Sequence, residues 1–315
     1  MIIFPIQELM DEQKCYDYLL KVLHPQGLKC PAGHAVRPGQ KPHDRHRVPV
    51  FDYRCPECGS VFNAFTHMVW RGSRYSCVQM VLILRGIAQG APTEHLADEL
   101  GIDRSHLLEK RHEMQKLLEQ RLPSSPLSDE VVEVDEMYQN AGEKGHKHED
   151  PDDPPRRRAN HVKGHGTWDN DRPPVVGVIG RESGQVRLHV CHHSDRKTLV
   201  PFVVANTLPG CTVNTDEWAA YNPLPETGRT HVQVCHSFGQ GEWARDDDGD
   251  GIREVHTNSI EGFWTGLRNF LRPFRGVNKE HLSHYIAVHE WASNLKHVTD
   301  DFLRAMMCCS TFQPT

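Results

Sequence analysis

The sequence predicts an α/β fold: a mixed sheet flanked by helices, preceded by a small metal-stapled lobe and a helical region. Short β-branched runs, VVEVDE at 131–136, PPVVGVIGRESGQVRLHVC at 173–191 and CTVNT at 211–215, alternate with helix-like stretches. That mixture of period two and period 3.6 is what layers of sheet and helix require. Two acids, Asp135 and Asp216, close two of the runs, and a third, Glu261, sits in the helix-like HTNSIEGFW. One fold converging these three carboxylates on a pair of metal ions is the arrangement that phosphodiester chemistry needs.

Length and composition suit two domains. The chain has 315 residues, 37% hydrophobic and 25% charged, roughly two domains' worth for a globular protein. No apolar run approaches the roughly 20 residues that cross a bilayer, and MIIFPIQELMDEQ has early acids and no basic leader region. A cytoplasmic protein with no membrane partner is expected. Ten cysteines in a chain this long read as reduced thiols with one metal site rather than as a disulfide framework. The net charge of −6 is unevenly spread: residues 29–121 carry 14 Lys/Arg against 10 Asp/Glu, residues 122–315 carry 20 against 28. The basic share lies in the N-terminal third, and an acidic remainder tolerates phosphates only with bound cations and local basic strips.

After an N-terminal helical segment, 1–28, comes a zinc ribbon over 29–70. Cys30-Pro-Ala-Gly-His34 and Cys55-Pro-Glu-Cys58 are two tight turns whose thiolates and imidazole can meet around one structural Zn²⁺, the intervening sequence forming a short hairpin. The first pair is C-x3-H where a ribbon usually has C-x2-C, so His43 and His46 compete with His34 as ligand. Residues 71–121 then read as a helix-turn-helix-like region. Thr93 can cap one helix, Gly101 allows a sharp turn, and Ser105 opens a second helix whose Arg104, His106, Lys110 and Arg111 are candidate DNA contacts.

Residues 122–130, LPSSPLSDE, form a linker where Pro and Ser break the helical pattern. The catalytic domain spans 131–300, with a hairpin about Gly184, a helix from Lys197 to Thr207, a strand in THVQVCH and a helix through Glu261. The order β-β-β-α-β-α, with Asp135 ending the first strand and Asp216 the fourth, is the layout of a ribonuclease H-like domain. Residues 142–172, rich in Pro, His, Asp and Arg, read as a mobile insertion, whose Arg156, Arg157, Arg158 and Lys163 offer charge to DNA. Residues 301–315 are left as a tail.

RCPECGSVFNAFT, VEVDEMY, NTDEWAAY and HTNSIEGFWTGLRNFLRPFRGVNKEHLSHYIAVHEWASN together resemble DDE-type transposases of bacterial insertion sequences, in particular the ISXO-type group with an N-terminal zinc ribbon. The resemblance spans about 29–297. It implies that Asp135, Asp216 and Glu261 bind two Mg²⁺ or Mn²⁺ ions, that the substrate is double-stranded DNA at transposon ends and target, and that the enzyme acts as a homo-oligomer on DNA. The implied reaction is nicking at a transposon end, then transfer of the freed 3′-hydroxyl to target DNA. Relatives often carry lysine seven residues after the triad glutamate; here Arg268 stands there, on the same helical face two turns on. Arg268, Arg272 and Arg275 are expected at DNA phosphates.

Some relatives place asparagine third in the triad, and Asn258 lies three residues before Glu261, but a carboxylate suits a hard cation better than an amide. Glu136, adjacent to Asp135, points to the other face of an extended strand and is the lesser candidate. Asp246, Asp248, Asp250 and Gly251 imitate an EF-hand opening, yet Thr257 occupies the twelfth position where a bidentate Glu belongs, so a solvated loop is expected. Two other functions compete with transposition: a zinc-bearing DNA-binding regulator that has lost catalysis, and a ribonuclease H-like nuclease without strand transfer. A pure binder has no reason to gather carboxylates where anionic DNA lies.

Overall fold

The computed structural model describes residues 4, 11–147, 151–152, 165–235, 243–295 and 297–309. These fall into two compact units, Met1–Arg121 with Leu295–Thr315, and Leu122–Asn294. Among the described residues no helix is long and apolar enough to cross a membrane. All ten cysteines are free of disulfide bonds.

In the first unit, helix α1 (Glu12–Leu23) starts where Asp11 accepts from the Lys14 amide, and it buries Cys15, Tyr16, Leu19, Val22 and Leu23. A two-stranded hairpin, β1 (Tyr53–Arg54) and β2 (Val61–Phe62), precedes helix α2 (Cys77–Ala88), which opens with a capping box between Ser76 and Gln79. The Glu12 carboxylate adds two bonds to the Cys77 and Val78 amides, satisfying first-turn donors that the helix itself cannot.

Helices α3 (Thr93–Leu100) and α4 (Arg104–Glu119) make the expected helix-turn-helix outline about Gly101, whose φ of 61° is left-handed. The caps differ from expectation. Thr93 is already helical and gives no cap bond, and α4 is capped by Asp103, which accepts from the His106 amide. Helix α8 (Asp300–Met307) also belongs to this unit, so the expected tail from 301 begins as a helix. Phe302, Leu303, Met306 and Met307 are buried, on a face of period 3.6 that packs against α1 and α4.

The second unit is built on a five-stranded mixed sheet, order β5-β4-β3-β6-β7: β3 (Val131–Tyr138), β4 (Pro174–Gly180), β5 (Val186–Val190), β6 (Thr212–Thr215) and β7 (Thr230–Gln233). β4 runs antiparallel to both β3 and β5, and β6 and β7 extend the sheet parallel to β3. Helix α5 (Arg196–Asn206), capped by Asp195, connects β5 to β6. Helices α6 (Asn258–Leu271) and α7 (Lys279–Asn294) follow β7. A mixed sheet flanked by helices is thus observed, and its order fits the ribonuclease H-like layout.

The strand period divides β3 between two cores. Val132 and Val134 join Leu199, Val203, Val213 and Tyr221 on the α5 face. Met137 joins Ile260, Trp264, Leu267 and Ile286 on the face covered by α6 and α7. Leu127, expected in the linker, is buried in the α5-face core, where its amide donates to Asn206 O.

The described flanks of the 142–172 segment are tied down. Lys144 Nζ donates to Phe274 O and Gly276 O, and Asp171 pairs with Lys279 at 3.1 Å. Arg156, Arg157, Arg158 and Lys163 lie outside the described residues.

Glu290 on α7 is 1% exposed and accepts from the Leu188 amide at 3.0 Å. Burial pushes its carboxyl up to about 7, against the opposing pull of that amide and Arg187. The unfolded chain ionises this group at the ordinary value and the folded chain only near 7, so its ionisation costs stability as pH rises through that window. Glu290→Gln keeps an acceptor and removes the charge. It is expected to raise the melting temperature of this unit at pH 8 by on the order of 5 °C, from a linkage limit of roughly 3 kcal/mol. Thermal unfolding should show no gain at pH 4.

Candidate active site and metal centre

Three elements bring the expected acids to one end of the sheet. Asp135 lies on β3 opposite Gly177 of β4, Asp216 directly follows β6, and Glu261 is in the first turn of α6. Asp135 and Glu261 line a cleft of about 440 Å³ with Glu136, Asn258, Trp264 and Arg268. Asp216 is not part of that lining, but its charge reaches Asp135. The Asp135 carboxyl is pushed up to about 6, first by burial and further by the negative charges of Asp216 and Glu261, while a bond from Trp264 opposes the shift. The three do not form a cluster with all ligand oxygens within 4.8 Å of one another. Two ions about 3.5–4 Å apart draw on different ligand subsets, so a single meeting point is not required.

Each acid is held. Trp264 Nε1 donates to Asp135 Oδ2 at 2.8 Å, and the ring lies over Gly177, where an added Cβ would come within 2.6 Å of it. The glycine opposite Asp135 is therefore what lets the indole reach the acid. The Trp218 amide donates to Asp216 Oδ1 at 2.9 Å, and the Thr257 hydroxyl donates to Glu261 Oε1 at 3.0 Å. Glu136 turns to the other face of β3, toward buried Tyr221. Burial, then the charges of Asp135 and Asp216, push its carboxyl up to about 8.

A second cluster lies in the first unit. Ligand atoms of Cys30, His34, Cys55 and Cys58 all fall within 4.8 Å of one another. Cys30 Sγ is 3.7 Å from Cys58 Sγ and 3.4 Å from His34 Nδ1, and Cys55 Sγ is 3.5 Å from the same nitrogen. Those separations match the edges of a zinc tetrahedron, about 3.8 Å between sulfurs and about 3.6 Å from sulfur to nitrogen for ordinary bond lengths. His43 and His46 are not part of the group, and His46 is turned to Asp44.

The intervening sequence closes on itself at one antiparallel bridge, Asp44 with Asp52, and each ligand pair sits in a knuckle of its own. Antiparallel pairs close around each ligand pair, Lys29 with Ala35 and β1 with β2, and amides of Cys30, Gly33, Cys55 and Gly59 fold the turns. Leu28, Val36, Tyr53 and Phe62 supply only a small apolar cluster beside the buried thiols.

A family model described as the ISXO2-like transposase domain matches residues 126–294. The chain belongs to the ISXO2-like transposase family. It is 27% identical over 287 residues to an uncharacterised protein in transposable element ISH50 of Halobacterium salinarum, covering 90% of each chain. An uncharacterised transposase-like protein of Haemophilus influenzae is 28% identical over 97 residues, covering 31% of this chain and 71% of that protein. Among solved structures, a chain of the simian T-cell lymphotropic virus intasome in complex with PP2A regulatory subunit B56 gamma aligns with a TM-score of only 0.30 at 8% identity, over 65% of this chain and 66% of that one.

The basic residues of this ISXO2-like chain divide sharply. Arg104 of α4 is exposed, and Lys110 is partly covered and paired with Glu113 at 3.1 Å. His106 is held against Tyr75, ring on ring, with a bond to its hydroxyl. Arg111 corrects the sequence reading: it is fully buried and donates to Ala91 O, so it braces the lobe and does not reach DNA. It falls on the Leu107, Met114 and Leu118 face of α4, a spacing that marks it as inward.

Arg268, Arg272 and Arg275 are all exposed, and Arg268 lines the same cleft as Asp135 and Glu261. Guanidinium stays protonated and does not ligate metal. Arg268→Ala is expected to slow strand transfer by about tenfold, the loss of one charge-assisted phosphate contact. Mn²⁺ binding, measured by calorimetry, should stay unchanged.

Asp246, Asp248 and Glu254 also bring ligand oxygens within 4.8 Å. The loop already employs its aspartates as turn acceptors: Asp246 for the Gly249 and Gly251 amides, Asp248 for that of Asp250, and Asp250 for that of Ile252. Thr257, the twelfth position, serves Glu261 instead.

Proposed function

We propose that this chain is the DNA transposase of an insertion sequence, which binds the element's ends and, with divalent metal, cuts them and transfers strands to target DNA. The observation that carries this reading is that Asp135 of β3 and Glu261 of α6 line one cleft with Arg268, while the charge of Asp216, just after β6, reaches Asp135. The donor set fits a hard cation. All three are carboxylates, and Asp135 is raised partly by its two anionic neighbours, a repulsion that bound metal relieves. Mg²⁺ or Mn²⁺ held by these residues would supply Lewis acidity to the phosphodiester.

The chain's own groups do the rest. Trp264 fixes one Asp135 oxygen, the Thr257 hydroxyl orients Glu261, and Arg268 offers charge to a phosphate. Among the described residues no Ser–His or Cys–His pair lines the cleft, so the attacking oxygen comes from water in nicking and from the freed 3′-hydroxyl in transfer. The four-ligand cluster is read as a structural Zn²⁺ site holding the DNA-binding lobe, and paired ends call for a homo-oligomer on DNA.

The test is to incubate the purified chain with duplexes carrying the element's terminal sequences, target DNA and Mg²⁺ or Mn²⁺. Nicked ends and joined products are expected. Nicks without joining favour a nuclease, and end binding without any cleavage in either metal favours an inactive regulator.

A further inference from the structure

Beneath the three acids lies a buried polar tier that the proposed chemistry does not use. Glu133, two residues before Asp135 on the same face of β3, is fully buried. Its carboxylate accepts from Ser259 N at 2.8 Å, Ile260 N at 3.1 Å, Ser259 Oγ at 2.9 Å and Arg181 Nε at 2.9 Å, and His256 Nδ1 lies 3.2 Å away. Ser259 and Ile260 are in the first turn of α6, whose amides have no partner within the helix. Thr257, at the N-cap position, supplies no side-chain cap bond.

A strand residue therefore caps the helix that carries Glu261. Asn214 repeats the pattern on the neighbouring strand. It is two residues before Asp216, pairs in register with Glu133, and reaches Glu254 O and His256 O at 3.5 and 3.3 Å. Arg181 donates to the same two carbonyls. The strap from Glu254 to His256 that leads into α6 is thus fastened to both acid-bearing strands.

We propose that Glu133 is a positioning residue that fixes the rotation and height of α6, and so sets Glu261 against Asp135 for metal. This rests on reading Asp135, Asp216 and Glu261 as the metal-holding acids. Capping by a local Ser or Asp at the surface would satisfy the same amides without burying a carboxylate, which is costly for stability alone. What the long-range cap adds is rigid registration. Glu133 and Asp135 share one strand, so a helix pinned to the first is placed relative to the second, and the charge-assisted bonds sit at the positive end of the helix dipole.

The full chain is tested with Mn²⁺ as the probe. In wild-type protein without added divalent metal, the Ser259 and Ile260 amides are expected to resist hydrogen exchange, although first-turn amides ordinarily exchange fast. Glu133→Gln should speed their exchange about tenfold, weaken Mn²⁺ binding by calorimetry about 10- to 100-fold, and leave end cleavage recoverable at high Mn²⁺. Ser259→Ala removes one of the bonds and keeps the amides. It should shift Mn²⁺ binding in the same direction by about threefold, the weaker end of one hydrogen bond, and it decides the matter should Glu133→Gln not fold. Unprotected amides in the wild type, or wild-type Mn²⁺ affinity in both variants, overturn the positioning role. Glu261→Gln separates the two ideas: if it still cleaves, the acid assignment falls, whereas if it is dead while Glu133→Gln is silent, only the positioning role falls.

Discussion

Asp135→Asn, Asp216→Asn and Glu261→Gln should each slow end cleavage and strand transfer by at least on the order of a thousandfold, roughly 4 kcal/mol of transition-state stabilisation. The fold should survive all three. The side-chain amide of the Asp135→Asn variant keeps an acceptor oxygen for Trp264 Nε1, which in the wild type bonds Asp135 Oδ2. Neutralising Asp216 or Glu261 removes a charge that raises the Asp135 carboxyl, so metal-free protein should melt at the same or a higher temperature. DNA-end binding without metal, read by gel shift, should hold or strengthen as anions leave the site. Near-wild-type cleavage by any one variant removes that residue from the triad. For Glu261, Asn258 is then the replacement to test, since it lines the same cleft.

The second large effect is expected in the first unit. Wild-type protein purified without chelator should contain one zinc per chain, and Cys55→Ser none. Cys55 is 4% exposed and packs with Cys30 and Phe62 in a cluster with few other apolar side chains. A lobe with so little core depends on its metal, whose binding in small zinc modules is worth about 10–16 kcal/mol at neutral pH, more than most domains' whole stability. Local unfolding of residues around the two knuckles should follow, with end affinity reduced at least tenfold, an effect of about 1.4 kcal/mol. The sheet of the second unit should keep its hydrogen-exchange protection. Metal analysis decides: a wild type free of zinc rules out the structural metal.

What the sequence made legible was local. Period-two runs announced β3 to β6, the spacing of Cys30, His34, Cys55 and Cys58 announced their cluster, and Gly101 marked the turn between α3 and α4. The support of the site was not legible, because it is made of partners distant in sequence. Glu133 meets Arg181 48 positions on and Ser259 126 positions on. No local pattern announces such a pairing, although an acid two residues before a strand aspartate, on the same face, is a signal worth following. Trp264 was visible within HTNSIEGFW, but its bond to Asp135 depends on Gly177 in a third segment. Arg111 and α8 are hard to read for a different reason. Its charge points Arg111 outward while the apolar spacing around it points inward, and the apolar stripe of Phe302, Leu303, Met306 and Met307 lies on a helix of only eight residues.

The return of α8 to the first unit orders events during synthesis. Val69 donates to Met307 O, Arg304 to Val22 O and Arg121 to Ala305 O, so the helices around α1 and α4 lack part of their cover until residues beyond the second unit have left the ribosome. The sheet carrying Asp135 and Asp216 is complete by then, since Leu122–Asn294 is translated first. A message cut short after Asn294 therefore yields the sheet that carries the acids joined to a first unit without α8. Lesions in α1 and in α8, far apart in sequence but packed together, should share one phenotype, that of a protein whose first unit is uncovered.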